Sequence, residues 1–307
     1  MIDFLVYLLT MIGIWSILSI SLNVQYGLTG LINLGHVAFF MIGAYVTTIL
    51  VMLLGLPFWV GFIGALLIAG LFGALISLPT ANLREDYWAI STLAFAEIVR
   101  LFFLNQPLKG PYIGASFGVS GIPAPFRDFF SNQGYNYFFL LLVLLCLAGS
   151  YFIAQWFTKK PFGRVLKAIR EGDHLPLALG KNVGFFRVRS MFLSGALGGC
   201  AGFLFAHYNG FISPQYFLPL ETFLVWAMVI LGGSGNYKGA ILGTIVIQAI
   251  YNSTRFISKS LPIEATTIAS MRMIIIGILI ILVILYMPQG LLPEKKRRYY
   301  HESNSKD

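Results

Sequence analysis

The residues able to do chemistry in this 307-residue chain are sparse, and their densest group lies between Gly163 and Gly180. There Arg164, Lys167, Arg170 and Glu171 recur at spacings of three and four, so one helix would gather them on one face. Val165, Leu166 and Ile169 take the other face. Gly172 ends that helix. Asp173 can cap a second short one, with Pro176 tolerated in its first turn and Gly180 as its stop. Two short helices, charged on one side and apolar on the other, suit the docking of a protein partner rather than the making of bonds. A loop that only set membrane topology would need the charge but not this order.

Other ionisable residues stand alone within apolar stretches, where each is costly and therefore a candidate for function. Glu97 and Arg100 are three apart and can pair along one helix face, either as a structural pair or as a charge lining a path. Thr29, Asn33 and His36 fall in or beside a Gly- and Asn-rich break at 22–36, where they could line a polar translocation path. Glu221 and Arg272 lie near the ends of apolar segments. Gly118-Val119-Ser120-Gly121 has the form of an intramembrane serine protease motif, with His207 as a distant base. A serine nucleophile needs that base within hydrogen-bond reach and an oxyanion hole, and Ser120 falls in a Pro- and Gly-rich loop instead. No G-x-x-x-x-G-K-[ST] run is present, and Gly232–Gly239 (GGSGNYKG) lacks the Gly-Lys-Ser/Thr ending. Any ATP would be bound by a partner chain. Cys146 and Cys200 sit in apolar stretches and read as small core residues without metal-ligand spacing. No catalytic residue and no metal ligand is therefore assigned.

The elements that must position these residues are membrane helices. Hydrophobic residues make up 57% of the chain and charged ones 11%, against about 25% charged in soluble domains. This excludes a cytosolic enzyme, a disordered protein and a secreted disulfide scaffold, and indicates an all-α polytopic membrane protein. Apolar segments at 4–22, 31–54, 57–79, 87–105, 136–157, 188–207, 217–233, 238–257 and 266–287 give a bundle of about nine spans, with a range of eight to ten. Gly27, Gly30 and Gly35 near one segment, and Gly232, Gly233, Gly235, Gly239 and Gly243 near another, suggest Gly-broken helices. The net charge of +9 is concentrated: 158–190 carries +6 and 288–307 carries +2. The positive-inside rule makes both segments cytoplasmic, with the N-terminus outside. The N-terminal MIDFLVYLLT lacks a basic leader region and is expected to stay as the first span. The chain then reads as one transmembrane domain, 1–293, with an extracytoplasmic loop at 106–135, a cytoplasmic loop at 158–187 and a solvated basic tail at 294–307.

The cytoplasmic loop resembles the ATPase-docking loop of branched-chain amino acid permeases from bacterial ABC importers. Residues 22–45 (LNVQYGLTGLINLGHVAFFMIGAY) are similar to that family's first signature, and 83–100 (LREDYWAISTLAFAEIVR) to its second. Residues 114–123 (GASFGVSGIP), 206–214 (AHYNGFISP), 229–236 (VILGGSGN) and 288–292 (PQGLL) continue the resemblance in order over nearly the whole chain. The family's docking loop usually has a second Glu and more alanine where this chain has Asp173, His174 and Pro176, so the shape of the second short helix is open. The resemblance implies a multi-pass subunit of the bacterial inner membrane that translocates leucine, isoleucine and valine. It also implies two ABC ATPase subunits that bind ATP and Mg, a second related permease, an extracytoplasmic binding protein and the surrounding lipid bilayer as partners, and no nucleic acid. Gly163, Arg164, Lys167, Arg170, Glu171, Asp173 and Gly180 would form the docking loop. Urea or short amides are alternative cargoes of such permeases. An ion-coupled secondary transporter is the rival class, with Glu97 as its acid.

Overall fold

The fold is that of a computed structural model that describes residues 2–80, 83, 85–109, 113–260 and 265–294. In chain order the helices are α1 (Ile2–Thr29), α2 (Val37–Thr47), α3 (Phe58–Thr80), α4 (Glu85–Asn105), α5 (Asn132–Lys159), α6 (Pro161–Glu171), α7 (His174–Ala178), α8 (Val183–Asn209), α9 (Pro219–Gly232), α10 (Tyr237–Ser260) and α11 (Ala265–Tyr286). Each expected apolar segment falls on one of these helices. Among the described residues five, within α1, α3, α4, α5 and α8, are long and apolar enough to cross a membrane. Val37–Leu53, α9 and Ser270–Tyr286 are shorter apolar helices.

Several expected boundaries move. The first segment runs on to Thr29 instead of ending at 22, because the side chain of Asn23 is fastened to the bundle. It accepts from Gly235 N at 2.8 Å and donates to the Asn236 carbonyl at 3.0 Å. The segment expected at 31–54 is helical only from Val37, and it continues past α2 as a π-helical turn, Thr48–Leu53. Residues 30–36 are not helical beyond a short turn. α8 starts at Val183, where the Asn182 side chain accepts the Phe185 N–H at 3.1 Å.

α1 is the centre of the bundle and packs against α5, α8, α9 and α10. Apolar burial does not drive helices together inside a bilayer, so close packing and interhelical hydrogen bonds must do so. Both are present. Ser194 Oγ donates to the Ser21 carbonyl at 2.9 Å, and Thr244 Oγ1 donates to Ser19 Oγ at 2.9 Å. The α3–α8 seam is lined with small residues. A methyl group added at Gly195 would stand 2.5 Å from the Ala69 carbonyl oxygen, and one at Gly199 would stand 2.4 Å from that of Ala65. The run Leu193–Gly199 is therefore a helix-packing face. α3 turns Leu67, Leu71, Leu75 and Leu78 outward, and α11 turns out Ile274, Ile278, Ile281 and Leu285. A stripe at this spacing suits contact with lipid.

The loop between α4 and α5 is ordered where it is described. β1 (Pro107–Lys109) pairs with β2 (Ile113–Gly114), and β3 (Val119–Ser120) pairs with β4 (Phe211–Ile212), which follows α8. This pairing marks one end of the bundle. Tyr7 of α1 stacks on Tyr208 there, with ring centroids 6.1 Å apart. α6 and α7 mark the opposite end.

Candidate functional site

The sequence-derived path residues meet at the interruption between α1 and α2. Thr29 Oγ1 donates to the Gln25 carbonyl at 2.7 Å, within the last turn of α1. Asn33 Nδ2 donates to Gln25 Oε1 at 3.1 Å, while Asn33 Oδ1 accepts the Gly35 N–H at 2.9 Å. Neighbouring helices supply the remaining partners. Trp226 Nε1 of α9 donates to the Asn33 carbonyl at 2.9 Å. Leu34 N–H donates to Thr92 Oγ1 of α4 at 3.2 Å, and Val37 N–H to Thr222 Oγ1 of α9 at 3.1 Å. Non-helical backbone is tolerated at membrane depth only where protein or a water-filled cavity satisfies it. Here three side chains from two other helices do that work. His36 is fully buried, edge-on to Phe39 at 5.6 Å, with its ring against the backbone of Leu18 near the middle of α1. The interruption thus rises from the end of α1 to half its height. α9, at 14 residues, is about 21 Å long at 1.5 Å per residue, short of the roughly 30 Å apolar core. An interrupted span and a short one, bonded to each other, are a recurrent construction of transport sites.

Glu97 belongs to α4, the same helix as Thr92. Its carboxylate accepts from Arg100 Nε at 2.9 Å and from Arg100 Nη2, closing the pair expected from their spacing. The Glu97 side chain remains 36% exposed. Arg272 lies over the Tyr251 ring at 3.6 Å and is close enough to Glu221 to interact electrostatically.

The residues expected to dock a partner form two short helices, but with a different distribution of charge. In α6, Gly163, Leu166 and Ile169 are buried, and the latter two join a cluster with Ile20, Val24 and Leu28 of α1. Arg164 and Glu171 are exposed. Lys167 and Arg170 instead turn back to Glu294, with Arg170 Nη2 at 2.9 Å from Glu294 Oε2 and Lys167 Nζ at 2.5 Å from Oε1. Arg170 Nη1 also donates to the Gly27 carbonyl at the end of α1. Glu294 is the residue that sequence reasoning missed. The sequence pattern places it in a solvated tail, of which only Glu294 lies within the described residues. Its side chain is 19% exposed, because 287–294 folds back onto α9 through Leu291 N–H to Leu231 O and Leu292 N–H to Gly232 O, both 2.9 Å. The PQGLL run could have signalled such a fold-back.

Asp173 begins α7, but its side chain caps nothing. The carboxylate accepts from Arg187 Nη2 at 2.9 and 3.1 Å, which ties α7 to α8. Pro176 is buried in the first turn, and Gly180 ends the segment with φ of +70°. Leu175, Leu177 and Leu179 are 63%, 55% and 68% exposed. The apolar side of α6 is therefore spent on the bundle, and the outward apolar surface belongs to α7 and Leu179 just after it.

The protease arrangement is not formed. Ser120 is an exposed strand residue paired with Phe211. His207 Nδ1 lies 2.8 Å from the Pro123 carbonyl oxygen, and its Nε2 has no hydrogen-bond partner. Among the described residues no three His, Cys, Asp or Glu side chains gather as a metal ion would require.

The family model described as a branched-chain amino acid transport system permease component matches residues 4–284. The high-affinity branched-chain amino acid transport system permease protein LivM of Escherichia coli K12 is 35% identical, over 92% of this chain and 69% of its own length. The probable branched-chain amino acid transport permease protein LivM of Methanocaldococcus jannaschii is 31% identical, over 96% and 94%. The LivH permease protein of Salmonella typhimurium is 25% identical, over 91% of each chain. No solved structure matches.

Proposed function

Because this chain belongs to the branched-chain amino acid transport permease family, we propose that it is the membrane-spanning permease subunit of an ABC importer for leucine, isoleucine and valine. The observation that carries the reading is the family match across 4–284, which includes the α1–α2 interruption, the docking helices and α9. The relatives are of two kinds, LivM and LivH, and this chain is more similar to LivM. Its permease partner is accordingly a LivH-like chain rather than a second copy.

In the proposed assembly two ATPase subunits hold the ATP and Mg, and an extracytoplasmic binding protein delivers cargo. The chain lies in the plasma membrane with α6 and α7 in the cytoplasm, its N-terminus outside and its C-terminal tail inside. The positive charge of 158–190 supports that orientation. Leu175, Leu177 and Leu179 present the apolar contact to an ATPase, rimmed by Arg164 and Glu171. Lys167, Arg170 and Asp173 hold the docking helices in place rather than touching the ATPase. Movement of the ATPases reaches α1 through α6, which is joined to it by Leu166, Ile169 and the Arg170–Gly27 hydrogen bond. The interruption at 30–36 then changes the side to which it is open. This subunit makes and breaks no covalent bond.

Mild affinity purification from native membranes tests the assembly. ATPase chains and a LivH-like permease are expected to co-purify, and the complex should take up leucine in an ATP-dependent way when supplied with its binding protein. Uptake that stops with the ion gradient but persists without ATP would overturn the reading. Uptake of urea in place of leucine would reassign the cargo.

A further inference from the structure

A cavity of about 410 Å³ opens at the α6 end of the bundle, bounded by Tyr26, Ile32, Arg170, Ser234, Pro288 and Glu294. This volume lies at the small-molecule end of ordinary binding pockets. One wall, Gly30 and Ile32, is the lower part of the interrupted stretch whose upper part carries Asn33 and His36. The cavity therefore sits on the route out of the interruption. Tyr26 connects the two levels, because its ring meets Trp226 edge-on at 4.5 Å and Trp226 is bonded to the Asn33 carbonyl.

The chemistry of the lining is two-sided. Arg170 is a guanidinium, a planar donor suited to a carboxylate. Glu294 is a carboxylate suited to an ammonium group. The two stand 2.9 Å apart, and Tyr26, Ile32 and Pro288 add an apolar wall. A ligand matching all three features carries adjacent negative and positive groups and a short aliphatic chain.

We propose that this cavity is the release site for the transported amino acid. Its carboxylate is held by Arg170, its ammonium by Glu294 and its branched side chain by Tyr26, Ile32 and Pro288. The inference rests on the importer reading above and names a site within it. Glu294 also binds Lys167, so an amino acid in the cavity competes for the same carboxylate that fastens α6. Departure of cargo and closure of the α6 clasp are then one exchange of partners.

The test is equilibrium binding of radiolabelled leucine to the purified complex without the extracytoplasmic binding protein, in competition with leucinamide and 4-methylpentanoate. Leucinamide lacks the carboxylate and 4-methylpentanoate lacks the ammonium. Wild-type complex should prefer leucine over each by about tenfold or more, the effect of one charge-assisted contact. Arg170→Gln should abolish the preference over leucinamide alone, and Glu294→Gln the preference over 4-methylpentanoate alone. Ser234 is an exposed wall residue, so Ser234→Trp should fill the cavity and remove leucine binding while both ions stay in place. It decides the matter if the charge variants fail to assemble. No saturable binding by wild type, or binding unchanged in Ser234→Trp, overturns the site. ATP-driven leucine uptake by the complete importer separates the two levels. Uptake without this binding refutes the site and leaves the importer, whereas absence of any branched-chain amino acid uptake refutes the importer.

Discussion

A carboxylate shared by a lysine and an arginine carries a signature in its acidity. Burial raises the pKa of Glu294, but hydrogen bonds and charge from Lys167 and Arg170 outweigh burial and hold it below the usual glutamate range. The depressed pKa fixes the sign of the pH effect. The clasp stabilises the fold fully above the ordinary glutamate pKa, and this contribution is lost as pH falls through the lowered value. The side chains are partly exposed, so solvent screening limits the effect to about 1 kcal/mol. Thermal unfolding of the complex should show Glu294→Gln less stable than wild type at pH 7. The two should converge as the medium is acidified below the ordinary carboxylate range of about 4. A gap that persists in acid would remove the charge from the account. A second residue-scale prediction concerns the interruption. Thr222→Val should leave the Val37 N–H without its acceptor, at a cost of about 1–3 kcal/mol. It should lower the yield of folded chain in size-exclusion chromatography, and Thr222→Ser should restore it.

Among the elements, α6 and α7 divide labour. Leu166 is fully buried against α1, whereas Leu177 is 55% exposed. Leu166→Asp should therefore destroy the fold and the membrane-bound yield. Leu177→Asp should leave the yield intact and weaken ATPase co-purification by about tenfold or more, the effect of losing one docked leucine. Equal yields for the two variants would contradict the division. The two helices, their Gly172 and Gly180 stops and the buried Leu166 and Ile169 were all legible from spacing. The inward turn of Lys167 and Arg170 was not, because their partner lies more than 120 positions away and no local pattern links them. Asp173 illustrates the same limit. The local rule assigns it to a cap, but Arg187 of α8, brought alongside by the bundle, takes the carboxylate instead. The interruption between α1 and α2 was legible from its Gly and Asn residues. Its height in the bundle was not, since that is set by contacts with α4 and α9.

At the scale of the whole molecule, the paired strands and the short helices α6 and α7 occupy opposite ends, so the proposed orientation has one simple check. In a chain with Cys146 and Cys200 replaced, Phe129→Cys should react with a membrane-impermeant thiol reagent only from outside intact cells. Lys181→Cys should react only after permeabilisation. Phe129 is 83% exposed and Lys181 is also exposed, so neither substitution disturbs packing. Reversed labelling would invert the topology. The central place of α1 has a consequence in time. This helix is enclosed by α8, α9 and α10, yet it is synthesised more than 150 residues before the first of them. At about 5–20 residues per second, roughly 8–30 s separate its emergence from the arrival of its covering. During that interval Ser16, Ser19, Asn23 and Gln25, all fully buried at the end, have none of those helices to face. A nascent chain stopped after α5 should accordingly remain crosslinkable through α1 to the insertion machinery, and should be released from it only once α8 has been made.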